Sequence, residues 1–223
     1  MSVILEVSDL QKTFGAVVAA KDINVSVSEH ETIGIIGANG AGKTTFVNMV
    51  TGYLKPTSGR IQFLGQDIIH LPPRDITCLG ISRSFQVPQV FMSETVFENL
   101  LMAYAIVEDT GLAMLSPIMS EERASRVDAH LKRYQIEDYR DAVASTLPQG
   151  VRKLLDIAMA AVRSPRILML DEPTSGISVE EKFPLMDIIM EALKQEDTTV
   201  LFIEHDMEIV ERYVARVLAF YQG

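Results

Sequence analysis

Short apolar runs recur along this chain, at residues 4–7, 23–27, 32–36, 60–63, 167–170, 199–203 and 217–220, with longer stretches of mixed spacing between them. Runs of that length, rich in Ile, Val, Leu and Phe and bounded by polar or turn residues, predict β-strands. Three of them, 32–36, 167–170 and 199–203, are nearly continuous in their apolar character. That is the pattern of central parallel strands covered on both faces. The spacing over 180–194 predicts a helix of the crossover kind that parallel strands need. The early runs, before residue 32 and around residue 60, lie close together and read as an antiparallel edge sheet. From residue 93 to about 139 the pattern turns helical and offers no strand candidate. This block is flanked on both sides by α/β sequence and reads as a helical insertion. The expected organisation is one domain over 1–223, with an α/β core and its β edge in 1–86 and 146–223 and a helical part in 87–145.

The loop after the run 32–36 adds chemistry to this layout. Gly37-Ala38-Asn39-Gly40-Ala41-Gly42-Lys43-Thr44-Thr45 fits G-x-x-x-x-G-K-[ST], and residues 44–51 predict a helix ending at Gly52. A strand, a glycine loop and a helix in succession turn backbone N–H groups and a helix N-terminus onto one anion. The glycines let the main chain approach phosphate oxygens with no Cβ in the way. Lys43 adds a point charge for the β/γ-phosphates, and the Thr44 hydroxyl is placed to ligate Mg²⁺. The plain alternative is a glycine-rich turn with a stray lysine, and the flanking strand and helix argue against it. The fold class expected is therefore α/β: a P-loop NTPase core with a mostly parallel sheet, an antiparallel β edge subdomain and a helical insertion. Its cofactors are a nucleoside triphosphate and Mg²⁺.

The run 167–170 ends in Asp171 and Glu172. A carboxylate at the end of a strand next to the phosphate loop holds Mg²⁺ opposite that loop, which is the position of Asp171. Glu172, one residue on, stands where a carboxylate takes a proton from an attacking water. Two acids after a strand also occur in ordinary solvated turns, and only the phosphate loop tips the reading. His205 follows the run 199–203, at the carboxyl edge where parallel sheets bind ligands. A neutral imidazole there is placed to hydrogen-bond a γ-phosphate and orient water. His30, His70 and His130 lack such company and read as surface residues. Gln86 closes Ile81-Ser82-Arg83-Ser84-Phe85-Gln86 where the helical block begins. It is either a surface glutamine or a sensor that reaches Mg²⁺ or water.

Composition narrows the partners. With 223 residues and 48% hydrophobic content the chain supports one sizeable core. A net charge of −10 argues against a nucleic-acid partner, whose affinity rests on clustered Lys and Arg. No run approaches the roughly 18 apolar residues of a membrane span, and Met1 to Glu6 lacks the basic-then-apolar pattern of a signal peptide. The lone Cys78 excludes an internal disulfide, suits a reducing cytosol and reads as a small buried residue.

Taken together, the order and spacing of these elements resemble the ATP-binding subunit of an ABC transporter, over essentially the whole chain. The resemblance implies that Phe14 stacks on adenine and that Gly37 to Thr45 is the Walker A loop. It also makes Gln86 the Q-loop glutamine, Asp171 and Glu172 the Walker B pair, Ser175-Gly176-Ile177-Ser178 the D-loop and His205 the switch histidine. It implies ATP bound by Phe14, the Walker A loop and Gly150, with Mg²⁺ held by Thr44, Gln86 and Asp171. Catalysis would fall to Glu172, His205 and Gln86. Two segments, Ile81-Ser82-Arg83-Ser84-Phe85-Gln86 and Phe91-Met92-Ser93-Glu94-Thr95-Val96-Phe97-Glu98-Asn99-Leu100, resemble subunits of branched-chain and hydrophobic amino-acid uptake systems. Urea-type importers look similar.

The partners implied are a second such subunit, packed head to tail around two ATP molecules, and integral membrane permease subunits. The location implied is cytoplasmic, peripheral on the inner face of the cell membrane. Val90, Phe91, Met92, Val96 and Phe97 give an apolar, Met-containing stretch suited to a partner helix, although core filling accounts for about half of them. The signature region departs from L-S-G-G-Q, reading Leu147-Pro148-Gln149-Gly150-Val151 before a helix over 152–162. Ser178 stands where the D-loop usually has aspartate, and relatives usually continue past Gly223. The competing readings are a soluble ABC-type ATPase, a P-loop kinase and a non-hydrolysing ATP-gated scaffold. A kinase leaves Leu147 to Gly150 and His205 unexplained.

Overall fold

The computed structural model describes residues 2–108 and 117–221. The part of the helical block at 109–116, and the chain end at Gly223, lie outside the described residues. Strands β1 (Val3–Phe14) and β2 (Val17–Ser28) form a long antiparallel hairpin. The other edge of β1 pairs with β4 (Ser58–Phe63), which pairs in turn with the short β5 (Gln66–Asp67). The second sheet runs β6 (Ile81–Ser84), β7 (Ile167–Asp171), β8 (Thr199–Ile203), β3 (Thr32–Gly37) and β9 (Arg216–Phe220), all parallel. The helices are α1 (Lys43–Val50), α2 (Pro73–Leu79), α3 (Val96–Glu108), α4 (Glu121–Arg133), α5 (Gln149–Ala161), α6 (Val179–Gln195) and α7 (Met207–Tyr213).

The near-continuous apolar runs have a simple cause. Successive strand residues face opposite sides of the sheet, and both sides are covered. Leu168, Leu170, Val200 and Phe202 pack with Leu155 and Ile157 of α5 and Met186 and Ile189 of α6. Ile167, Met169, Leu201 and Ile203 pack on the other side with Ile33, Ile35, Phe46 of α1 and Leu5, Ile61 and Phe63 of the antiparallel sheet. Burial of each such side chain contributes about 1.5–3 kcal/mol. The two cores therefore hold one sheet rigid between them.

Several expectations need correction. Strand β6 is hidden in the pattern because Ser82, Arg83 and Ser84 interrupt the apolar spacing, although Ser82 and Ser84 are buried and the pairing runs from Ile81 opposite Ile167 to Ser84 opposite Leu170. Strands β1 and β2 extend beyond their apolar stretches because register shifts carry polar residues through the ladder. Cys78 is exposed, because α2 buries only Ile76. His130 is buried: α4 turns it inward, where Nε2 lies 2.9 Å from the Ala158 carbonyl and Nδ1 lies 3.4 Å from the Tyr104 hydroxyl. Burial lowers its pKa to about 4, so the ring is neutral at neutral pH. Val96 and Phe97 fill the core, whereas Phe91 and Met92 stay exposed. Helix α5 starts at Gln149, placing Gly150 inside its first turn.

Candidate nucleotide site

The loop between β3 and α1 is shaped by its glycines. Gly37 has φ +152° and pairs with Phe220 of β9; a Cβ there would sit 2.5 Å from the Phe220 carbonyl oxygen. Gly40 and Gly42 have φ values of +79° and +98°, in the region that favours glycine. Helix α1 has Gly42 as N-cap and no side-chain cap. The N–H groups of its first turn therefore remain open at the positive end of the helix dipole. Lys43 is buried and bends back over the loop, donating to the carbonyls of Gly37 (2.7 Å) and Ala38 (3.0 Å). The Lys43 ammonium thus ties the start of the loop to the first residue of α1, and the Ala41 N–H closes the turn on the Ala38 carbonyl at 3.1 Å. Thr44 is exposed at its rim and Thr45 is half-buried.

The carboxyl ends of β6, β7 and β8 bring three residues together. Glu172 accepts a hydrogen bond at Oε2 from the Gln86 amide (2.6 Å), and its Oε1 lies 3.1 Å from His205 Nε2. Glu172 reaches this position through a left-handed backbone, φ +47°, which costs roughly 1–2 kcal/mol for a non-glycine residue. Its N–H is held by the Ile203 carbonyl at 3.0 Å. Asp171 is buried, and its Oδ2 accepts from Arg83 at 2.6 Å. Arg83 also donates to Asn48 of α1 and lies over the Phe85 ring, 4.7 Å from its centroid. Among the described residues no hydrogen bond reaches Asp171 Oδ1. A depression of about 410 Å³ opens beside Glu172, Gly176 and His205. Two larger ones, of about 990 and 1230 Å³, lie away from the glycine loop, around Lys194 and around Tyr53 and Ile106.

The remaining candidates stand apart from this cluster. Phe14, half-exposed at the tip of the antiparallel hairpin, has the Lys12 ammonium 4.9 Å from its ring centroid. Gly150 lies in the first turn of α5, whose N-cap Pro148 offers no side-chain cap. Gln149 packs over Gly176, where a Cβ would fall 2.2 Å from the Gln149 amide nitrogen.

Four residues escaped the sequence reading. Arg83 neutralises Asp171, and Glu204 ties the β7 and β8 loops by accepting from Thr174 N (3.0 Å) and Oγ1 (2.7 Å) and from His205 N (3.1 Å). Lys153 and Asp156, on the buried side of α5, bond the last residue of β6 and the segment that follows it. The signal for the last two is a charge beside the apolar residues Leu154, Leu155 and Ile157 that form the helix face.

The donors fit the ligands the sequence implies. An uncapped helix N-terminus beside an ammonium suits a polyphosphate. The Thr44 hydroxyl, Asp171 Oδ1 and the amide oxygen of Gln86 are hard oxygen donors of the kind Mg²⁺ takes. Fold and site together define a P-loop ATPase.

The profile of the ABC transporter family matches residues 20–175. The high-affinity branched-chain amino acid transport ATP-binding protein LivG of Escherichia coli K12 is 36% identical, over 99% of this chain and 89% of that protein. The corresponding protein BraF of Pseudomonas aeruginosa is 38% identical over the same shares. Among solved structures, the ADP conformation of MJ1267, an ATP-binding cassette of an ABC transporter, superposes with a TM-score of 0.86 at 30% identity, over 100% of this chain and 89% of that one. The chain belongs to the ABC transporter family, and its fold is that of an ABC ATPase.

Proposed function

We propose that this chain binds and hydrolyses ATP to power uptake of a branched-chain or other hydrophobic amino acid through separate membrane subunits. The observation that carries the hydrolytic part is the Gln86–Glu172–His205 cluster at the carboxyl edge of the sheet that also carries the Lys43 loop. The solute class rests on the likeness to LivG and BraF.

In this reading Lys43 and the open N–H groups of α1 hold the β- and γ-phosphates. Thr44, Asp171 and Gln86 hold Mg²⁺, whose charge would offset that developing on the phosphates. Glu172 takes the proton of the attacking water, and His205 and Gln86 orient it. Phe14 stacks on the adenine. The described residues of 87–108 and 117–145 form the arm that meets the membrane subunits. Val87, Phe91, Met92, Tyr53 and Ile106 are all exposed large apolar residues. They suit a cytoplasmic segment of an integral membrane protein better than water.

Among the described residues no helix is long and apolar enough to cross a membrane; in this reading the exposed apolar residues of the arm attach the chain to its permease subunits. The expected result is that permease subunits co-purify with the chain from gently solubilised cells, and that the chain alone does not float with anionic vesicles. Loss of labelled-leucine uptake in cells carrying Glu172→Gln tests the solute; unchanged uptake counts against it.

The altered signature region makes a separate prediction. Pro148 has neither N–H nor hydroxyl to offer a γ-phosphate bound on a partner subunit, and it leaves α5 without a side-chain cap. Two copies of this chain would build two weakened composite sites, whereas a partner with an intact signature restores one. Isolated protein is expected to hydrolyse ATP slowly, and Pro148→Ser to raise the rate about tenfold or more by adding a donor in a closed site. ATPase rates measured across protein concentration decide the matter. Brisk hydrolysis by the parent, unchanged in the variant, means that the open N–H groups at the start of α5 suffice.

A further inference from the structure

Two charged side chains of α5 are buried without pairing with each other. Lys153 donates to the carbonyls of Phe85 (2.8 Å) and Gln86 (3.4 Å). Asp156 accepts from the Ser84 hydroxyl (2.5 Å) and the Gln89 N–H (2.7 Å). Each is no more than 5% exposed. Burying a charge is costly unless hydrogen bonds compensate, and here every such bond goes to one six-residue stretch, 84–89. Within that stretch only Gln86 sends its side chain to Glu172.

We infer that Lys153 and Asp156 are positioning residues for hydrolysis: they fix the path of residues 84–89 and, through Gln86, set where the Glu172 carboxylate stands. The inference rests on Glu172 acting as the base. It assigns α5 a task that its apolar face does not require. Leu154, Leu155 and Ile157 already anchor the helix in the core. The charged pair instead grips the end of β6 at Ser84 and the irregular segment that follows it. Any shift of the Gln149–Val151 turn along α5 is carried to the site by the same two side chains. Burial pushes the Asp156 carboxyl up and the Lys153 ammonium down from their ordinary values, and the attraction between the two opposes both shifts. The ionised forms are those that make the observed bonds strong.

The test compares Asp156→Ala with the parent by ATP turnover, nucleotide titration and amide hydrogen exchange. The expected result is a kcat lowered about tenfold or more, with ATP affinity within about threefold of the parent. Amides of residues 85–90 should exchange about tenfold faster while β7 and β8 keep parent rates. Asp156→Asn, which keeps an acceptor for the Gln89 N–H, should recover part of the rate. If Asp156→Ala does not fold, Ser84→Ala removes one bond to Asp156 with α5 intact and should lower kcat in the same selective way. Parent-like kcat in the variant that folds overturns the inference. So does an equal loss of kcat and affinity with faster exchange throughout, which marks a merely structural role. Glu172→Gln run alongside separates the two levels: an inactive Glu172→Gln beside a parent-like Asp156→Ala sinks the positioning role alone, and an active Glu172→Gln sinks both.

Discussion

Lys43→Ala is expected to lose most of its affinity for ATP while the sheet and its two cores stay folded. The Lys43 ammonium is buried against the loop and held on the carbonyls of Gly37 and Ala38. It is therefore aimed before any ligand arrives, and little side-chain entropy is lost on binding. Hydrogen bonds to charged groups contribute about 1.5–3 kcal/mol each, so loss of even one weakens binding about ten- to a hundredfold. The fold is expected to survive because Phe46, Met49 and Val50 anchor α1 independently of the lysine. Fluorescent-nucleotide titration reads the first part and thermal melting the second. Near-parent affinity in a folded variant means that the glycine loop does not hold the phosphates.

The second large effect concerns turnover. Glu172→Gln should bind ATP and Mg²⁺ as the parent does and hydrolyse about 10²–10⁴-fold more slowly. Glutamine has nearly the shape of glutamate and can still accept the Gln86 hydrogen bond, but it cannot take a proton from water. The left-handed backbone at residue 172 is unchanged, so the side chain should keep its place between Gln86 and His205. Single-turnover kinetics separate binding from chemistry. Parent-like turnover in purified protein would show that the base is another group.

Much of this layout was legible from residue patterns because the same physics writes both. Strands 32–36, 167–170 and 199–203 announce themselves because a doubly covered strand has no polar face to interrupt it. The glycine loop announces itself because only glycine tolerates the φ values at positions 37, 40 and 42. What escaped is polar and buried. Strand β6 carries Ser82, Arg83 and Ser84, whose partners Asp171 and Asp156 are remote in sequence. Nothing local reveals that a serine in an exposed-looking stretch will meet a carboxylate on α5. His130 escaped for the same reason, its partners lying on α3 and α5. The fate of Gln86 was likewise undecidable, since its partner Glu172 is supplied by pairing between β6 and β7. Local chemistry is readable; the meeting of distant polar groups needs the fold.

The position of β3 in the sheet bears on how the chain comes to its final state. β3 is made well before both of its neighbours, which follow far along the sequence: Thr32 pairs with Val200 and Ile33 with Arg216. The strand that carries the glycine loop therefore waits, both edges bare, until β8 and β9 have been made. Closing contacts so far apart in sequence is slow, and bare strand edges invite wrong pairing meanwhile. Even then the loop rests on Phe220, whose carbonyl lies where any side chain at position 37 would go. Acquisition of nucleotide affinity should thus coincide with arrival of β9, so that a nascent chain cannot take up ATP before that strand has joined β3.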